Sequence, residues 1–253
     1  MTESGSSARS SSFTIEGRRL VLPAQFRAGS SMTGIFVVPT TRMRSRLAGT
    51  GFVPAEIAPG RTLMGLNCVH YVDTDCGAYE EIAFSAFILR HDRPPGRVPY
   101  FATLRDLATA KIGSFAWRLA VTTTLSRDAG KQIWGFPKTV EDLVYAERDG
   151  SATMAWGDDS REVLRFTVPT RGRRTVREIS PPVYSMLDGV AHVGRLTQSY
   201  GNVGYHRHGV QVAIGTGHPA AEELRSLGLP KRPVIAVSNG TLNFSMSRST
   251  PLG

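Results

Sequence analysis

Cysteine is scarce in this sequence, since the 253 residues contain only Cys68 and Cys76. Two thiols are too few for a disulfide framework or for a zinc site built on thiolates, so we expect both to be reduced and buried. No segment approaches the ~18 consecutive apolar residues that a membrane span requires. The first residues also lack the basic and apolar regions of a secretory signal. These absences favour a cytoplasmic protein with no membrane partner.

Lysine is also rare, with four residues against 26 arginines in a chain of net charge +9. A basic protein can bind nucleic acid through the phosphates. However, the arginine clusters at 42–46 and 171–174 contain no interleaved aromatic residues, and no DNA-binding motif accompanies them. We therefore expect solvated arginine faces and no nucleic-acid partner. The rarity of lysine allows each one to be examined for a specific role.

Strand-like segments dominate the chain, and its composition of 41% hydrophobic and 20% charged residues is that of an ordinary globular protein. Asp149-Gly150 is a strong hairpin signal. Short helical windows occur at 104–111, 127–133 and 220–227. Strands and helices do not alternate regularly. The sequence therefore predicts an α+β protein, mainly antiparallel β, whose curved sheet closes into a barrel-like core with a few short helices.

The domain organisation follows from the polar start of the chain. Residues 1–12 are rich in serine and show no periodicity, so they predict a disordered tail. No later segment is dense enough in Gly, Ser or Pro to form a linker, and there is no internal repeat. We therefore expect residues 13–253 to form a single domain.

Two patterns resemble binding motifs but lack their full context. The segment 215–220 has the letters of a dinucleotide-binding loop, but the acidic residue expected about 20 positions later is missing. His206 and His208 alternate on a strand-like segment, but no third metal ligand lies nearby in the sequence. We therefore expect neither a phosphate loop nor a metal site here.

Lys138 differs from the other lysines because its surroundings are apolar and stiff. Gly135 suits the C-terminus of a short helix, and Pro137 fixes the backbone just before the lysine. Phe136 and Trp134 supply hydrophobic bulk. Burial among such groups disfavours the charged ammonium, and the neutral amine is the form that attacks a ketone. The pattern fits a nucleophilic lysine, and a lysine that reaches the surface after a turn is the alternative.

A second ionisable group lies on the apolar strand that begins at Tyr79. Period-2 alternation places Glu81 on the face of Tyr79, Ala83, Ser85 and Phe87, and Glu80 on the opposite face. Both faces are so apolar that we expect at least one of the two carboxylates to be buried. A buried glutamate needs a partner or a chemical task, and an ion pair with an arginine is the structural alternative.

Together these motifs resemble the acetoacetate decarboxylase superfamily over roughly residues 33–252. The matching residues are Gly130-Lys131-Gln132, Gly135-Phe136-Pro137-Lys138 and the upstream Gly77-x-Tyr79-x-Glu81. The resemblance implies that Lys138 is a Schiff-base lysine and that Glu81 is the active-site glutamate. It also implies an antiparallel barrel-like fold, assembly into homo-oligomers, and no metal or organic cofactor.

The sequence departs from the superfamily pattern where other charged groups would stand. Thr139 occupies the position of a second lysine, and residues 66–67 contain no acid where a second carboxylate falls. In the superfamily pattern, the arginine that binds the substrate carboxylate would fall near Ser30 or Ser31, and neither residue is an arginine. Arg27, which is close to that position but out of step with it, and Arg118 are therefore the candidates for this role. Without an aligned arginine, we expect decarboxylation of acetoacetate itself to be slow or absent.

The predicted function is a lyase that forms a Schiff base between Lys138 and a small-molecule keto acid, in a decarboxylase-like reaction. Glu81 would orient the acid and shuttle protons, while Phe136, Trp134 and Tyr79 would line a dry substrate pocket. The first alternative is a pyruvate-type aldolase or dehydratase that uses the same lysine. The second is a non-catalytic small-molecule-binding protein on the same fold.

Overall fold

The structure is a computed structural model that describes residues 11–89, 99–157 and 161–252. Its strands are β1 (Ser12–Ile15), β2 (Arg18–Val21), β3 (Ala24–Pro39), β4 (Val53–Pro54), β5 (Glu56–Ala58), β6 (Arg61–Thr74), β7 (Tyr79–Leu89), β8 (Gly113–Val121), β9 (Lys138–Val140), β10 (Leu143–Arg148), β11 (Ser151–Trp156), β12 (Leu164–Pro169), β13 (Arg174–Ile179), β14 (Pro182–Leu187), β15 (Val190–His206), β16 (Gln211–Ile214), β17 (Ile235–Met246) and β18 (Thr250–Pro251). Its helices are α1 (Thr40–Arg46), α2 (Pro99–Ala108), α3 (Thr124–Trp134) and α4 (Pro219–Ser226). No helix within the described residues is long and apolar enough to cross a membrane.

The secondary structure agrees with the sequence prediction at its strongest signals. The predicted turn joins β10 to β11, where Arg148 pairs with Ser151. Helix α3 covers the predicted window 127–133, and α4 covers all but the last residue of the window 220–227. Helix α2 begins earlier than predicted, at Pro99. Most of the predicted disordered tail lies outside the described residues, but β1 already begins at Ser12, which pairs with Val21 of β2.

Seven strands of the largest sheet form a closed ring. Their order is β7, β6, β3, β17, β15, β14 and β8, and the pairing of β8 with β7 closes the ring. All of these pairings are antiparallel except that between β14 and β8. The predicted α+β fold, with a mainly antiparallel sheet that closes on itself, is therefore confirmed.

A second sheet covers the outer face of part of this ring. Its strands are β10, β11, β12 and β16, in that order. On β7, Ile82 and Phe84 belong to the same hydrophobic core as Trp156 and Phe166 of the second sheet and Leu224 of α4, and all five are buried. Truncating a buried phenylalanine such as Phe84 to alanine typically costs about 3–5 kcal/mol. Packing between this second sheet and the outer face of the ring therefore stabilises the ring. The side chains on the inner face of the ring do not take part in this packing.

Helix α3 and strand β9 position the segment that carries Lys138. The Thr123 side chain caps the helix by accepting a hydrogen bond from the Ser126 N–H. Gly135 ends the helix in the left-handed conformation, with φ of 72°, which glycine adopts without strain. Strand β9 then pairs in parallel with β8, and Lys138 lies opposite Leu119. The local sequence thus delivers the lysine to the edge of the ring at a defined register.

Candidate active site

A cavity of about 250 Å³ lies inside the ring of strands. Each of the seven ring strands contributes at least one lining side chain, because alternate residues of a strand face the interior. On β7 the lining residues are Tyr79, Glu81, Ala83 and Ser85, four of the five residues that the alternation predicts to share a face. Apolar side chains form much of the remaining wall, including Phe26, Leu119, Trp134, Phe136, Leu196, Leu242, Phe244 and Met246.

Lys138 reaches this cavity from β9, and its side chain is only 7% exposed. Its Nζ lies 2.7 Å from Glu81 Oε2 and donates a hydrogen bond to Ser126 Oγ at 3.0 Å. Nζ also lies 5.2 Å from the centre of the Tyr79 ring. The amine of Lys138 and the carboxylate of Glu81 thus lie side by side in a largely buried position. Because the two groups are in contact, a proton can pass directly from the lysine to the glutamate.

One face of helix α3 shapes the space around Lys138. Ser126, Gly130 and Trp134 are four residues apart and therefore share that face. Ser126 contacts Nζ, and Trp134 lines the cavity. At Gly130 a Cβ atom would lie 2.5 Å from Lys138 Cδ and 2.8 Å from Cε, so the glycine leaves room for the lysine stem. Sequence reasoning missed Ser126. Its spacing of four residues from Gly130, on the helix that precedes Lys138, is a signal that could have identified it.

Glu81 has a second polar neighbour in addition to Lys138. The Tyr71 hydroxyl donates to Glu81 Oε1 at 3.5 Å, and the Tyr71 and Tyr79 rings are 4.4 Å apart. Burial and, to a smaller extent, the Glu81 charge raise the pKa of both tyrosines well above its ordinary value. Both phenols therefore stay protonated and uncharged. The Lys138–Glu81 pair is therefore a single carboxylate and a single amine beside aromatic side chains.

The other polar side chains of the cavity are uncharged, and several satisfy one another. The Thr33 hydroxyl donates to Asn67 Oδ1 at 3.1 Å, and Asn67 Nδ2 donates to Ser85 Oγ at 3.0 Å. Asn239 Nδ2 donates to Ser31 Oγ at 2.8 Å. Among the lining residues that the structure describes, the lysine–glutamate pair carries the only formal charges.

The structure brings five of the predicted site residues to this cavity, namely Lys138, Glu81, Tyr79, Trp134 and Phe136. The Trp134 and Phe136 rings stack with centroids 6.5 Å apart and lie on the same wall. Burial within the ring thus unites residues that are up to 59 positions apart in the chain.

The two arginines predicted to bind the substrate do not line the cavity. Arg27 is half exposed, and its Nη2 lies 2.6 Å from Asp75 Oδ1. Arg118 donates to Glu223 through Nε at 2.9 Å and through Nη2 at 2.7 Å. Each guanidinium is therefore engaged by an acidic partner outside the cavity.

The histidines and cysteines considered in the sequence analysis lie outside the cavity. His206 Nε2 is hydrogen-bonded to Ser238 Oγ at 2.9 Å, and the described residues contain no group of three or more His, Cys, Asp or Glu that could hold a metal. The His218 side chain caps α4 by accepting from the Ala220 N–H at 3.2 Å. Cys68 and Cys76 are free, buried thiols, as expected.

Solved protein structures share this fold, although no protein-family model and no curated protein matches the sequence. Acetoacetate decarboxylase from Legionella pneumophila aligns with a TM-score of 0.66 over 91% of this chain and 87% of that chain, at 12% identity. MppR, an enduracididine biosynthesis enzyme solved with the condensation product of pyruvate and imidazole 4-carboxaldehyde, aligns with a TM-score of 0.64 over 90% and 89%, at 11% identity. An acetoacetate decarboxylase-like enzyme from Sphingomonas wittichii aligns with a TM-score of 0.53 over 90% and 93%, at 12% identity.

These likenesses define the class of fold to which the chain belongs. It has the fold of acetoacetate decarboxylase, so the resemblance predicted from the sequence motifs is confirmed at the level of the fold. The same fold is shared by acetoacetate decarboxylase-like enzymes, among them MppR.

Proposed function

We propose that this protein is a lyase that forms a Schiff base between Lys138 and the carbonyl carbon of a small keto acid. The observation that carries this proposal is a buried amine, 2.7 Å from the Glu81 carboxylate, that borders an open cavity of about 250 Å³. A purely structural ion pair needs no such space beside it. The fold shared with acetoacetate decarboxylase supports the same function.

Proton transfer within the lysine–glutamate pair starts the proposed reaction. The ammonium gives one proton to Glu81, the neutral amine of Lys138 adds to the carbonyl carbon, and the oxygen takes that proton to become a hydroxyl. A second proton passes from the nitrogen through Glu81 to the hydroxyl, which leaves as water. The product is a protonated imine beside a carboxylate. A positioned acid–base group of this kind typically contributes about 10²–10⁴-fold to the rate.

The protonated imine then withdraws electrons from the neighbouring carbon. In a β-keto acid, the bond to the carboxyl group breaks, carbon dioxide leaves, and the resulting enamine is protonated at carbon. Water hydrolyses the imine and releases the ketone. The hydrophobic wall formed by Trp134 and Phe136 limits the access of bulk water to these intermediates.

A pyruvate-type aldolase or dehydratase is the second candidate function. MppR, which shares the fold, has been solved in complex with pyruvate and with a condensation product of pyruvate. In this reaction the same imine would acidify the α-carbon, and Glu81 would remove a proton there. Assembly into homo-oligomers, a cytoplasmic location and independence from metals and cofactors stay predictions.

Borohydride trapping tests the proposed function. The protein is incubated with pyruvate or acetoacetate, reduced, digested and mapped by mass spectrometry, and we expect the reduced adduct on Lys138. Lys138→Met should abolish the adduct, whereas Lys131→Met, at an exposed lysine of α3, should retain it. An adduct on another lysine would contradict the assignment. Carbon dioxide release and aldol product analysis then separate the two reactions, and no adduct with any keto acid would favour the binding protein.

A further inference from the structure

Gln198 and Tyr200 are cavity-lining polar side chains that have no hydrogen-bond partner among the described residues. Gln198 and Tyr200 both line the cavity from β15, and their spacing of two places them on one face of that strand. Gln198 is only 9% exposed. Neither its amide nor the Tyr200 hydroxyl hydrogen-bonds to any described side chain or backbone group, in contrast to the Thr33–Asn67–Ser85 network.

Most polar groups inside proteins bond to the protein itself, so these two side chains keep their hydrogen-bonding capacity for whatever occupies the cavity. The Gln198 amide offers two N–H donors and a carbonyl acceptor, and the Tyr200 phenol offers one O–H donor. Burial raises the pKa of Tyr200 to about 12, so its hydroxyl keeps its proton at neutral pH. The two side chains thus present adjacent, uncharged donors to the interior of the cavity.

These donors lie across the ring from the reacting groups. Strand β15 is the third strand from β7 in one direction around the ring and the fourth in the other. Glu81 and Lys138 therefore approach the cavity from one wall, and Gln198 and Tyr200 from the opposite wall. A substrate bound to Lys138 through its carbonyl carbon would extend toward the two free donors.

The formal charges around the cavity indicate which group of a substrate would bind to the Gln198 and Tyr200 donors. A keto acid brings a carboxylate, but Glu81 already offsets the charge of Lys138, and Arg27 and Arg118 are engaged elsewhere. Neutral donors can still hold a carboxylate, since hydrogen bonds to a charged acceptor are stronger than neutral ones. We propose that Gln198 and Tyr200 form the subsite that binds the carboxylate of the substrate. This inference rests on the proposed Schiff-base function.

Paired acid and ester probes test the subsite. The probes are pyruvate, acetoacetate, levulinate and 5-oxohexanoate, each with its methyl ester, and the measured quantity is the concentration that gives half-maximal borohydride trapping on Lys138. For the acid that binds best, Gln198→Leu and Tyr200→Phe should each raise this concentration about tenfold or more. The ester should change much less. Thr197→Val, on the exposed outer face of β15, is the matched control and should change neither.

A substitution that adds charge tests the same subsite in the opposite direction. Gln198→Arg places a cation where we propose that the carboxylate binds, so the preference for acid over ester should increase above that of the wild-type protein. Equal effects on acid and ester in all three variants, or no effect in any of them, would overturn the subsite.

Non-covalent binding separates failure of the subsite from failure of the proposed function. In Lys138→Met, quenching of Trp134 fluorescence by the same acids reports binding without a Schiff base, because Trp134 lines the cavity. If the wild-type protein forms no adduct but Gln198→Leu still weakens this binding, the subsite stands and the Schiff-base function fails. If no acid binds at all, both are overturned.

Discussion

Glu80 and Glu81 are neighbours on β7, yet they belong to two chemically different pairs. Glu81 Oε2 lies 2.7 Å from Lys138 Nζ inside the ring. Glu80 Oε1 lies at the same distance, 2.7 Å, from His70 Nδ1 on the opposite face of the strand. Contact distance therefore does not distinguish a candidate active site from a structural pair.

The surroundings of the two pairs differ. The Glu81 pair borders an open cavity, whereas the His70 ring stacks on Tyr145 with centroids 4.3 Å apart and planes inclined by 7°. Burial raises the pKa of Glu80, and its hydrogen bond with His70 only partly opposes this effect. The comparison teaches that the two pairs differ in the open space beside them and not in their contact distance.

Removing one charge from each pair is the strongest test of this comparison. Glu81→Gln should lower turnover of a trapped keto acid about 10²–10⁴-fold, because the amine loses its proton acceptor. Glu80→Gln, one residue away, should leave turnover unchanged. Steady-state kinetics measure both, and circular dichroism checks that each variant is folded. Similar losses of activity in the two variants would refute the distinction between the two faces.

The position of the amine can be altered without changing any charge. Gly130→Ala places a Cβ atom against the Lys138 stem and should lower turnover on the order of 100-fold, the typical cost of misplacing a reacting group by about 1 Å. Gly194→Ala on β15 is the control, because its nearest contacts would be ordinary ones at 3.7 Å or more. The rate of borohydride trapping reports the effect. An unchanged trapping rate in Gly130→Ala would show that the position of Lys138 does not depend on the space left by this glycine.

Arg118 belongs to a further ion pair that does not line the cavity, so it extends the comparison to a third pair. The sequence suggested a substrate contact for Arg118, whereas the structure pairs it with Glu223. Arg118→Met should leave keto acid trapping unchanged and lower the free energy of unfolding at neutral pH by about 1–3 kcal/mol. Urea unfolding measures this loss. A large increase in the keto acid concentration required for trapping would instead restore Arg118 as a substrate-binding residue.

The same substitution has a defined pH dependence. Burial opposes ionisation of Glu223, but the hydrogen bonds from Arg118 and the nearby charge of Arg46 outweigh it and hold the pKa of Glu223 below its ordinary value of 4.5. Stability from this carboxylate is therefore present above pH 4.5 and is lost as the pH falls through the lowered pKa. The free energy of unfolding should consequently fall less on acidification in Arg118→Met than in the wild-type protein.

Local patterns were sufficient to predict the main features of the cavity wall that carries Glu81 and Lys138. Alternation along β7 is regular, so Glu81 could be placed on the face of Tyr79 from the sequence alone. The helix that precedes Lys138 was also predicted, because Gly135 is a strong C-terminal signal. These features depend on residues close together in the chain.

Partners that are distant in sequence could not be predicted in this way. Arg27 pairs with an aspartate 48 positions away, and Arg118 with a glutamate 105 positions away. Strand β15 was not recognised as one element, because its 17 residues include polar ones on both faces and so lack a clear alternation. Gln198 and Tyr200 were therefore missed. Only closure of the ring brings that strand opposite β7.

The clearance at Gly130 gives a criterion for interpreting other sequences. A Gly-Phe-Pro-Lys segment is short enough to occur by chance, but a lysine in this arrangement also needs a residue without a side chain eight positions earlier. A protein with a bulky residue at that position would have to direct its lysine elsewhere. Searches of uncharacterised sequences can therefore use the glycine, four residues after a serine and four before a tryptophan, to find lysines that have room for this buried position.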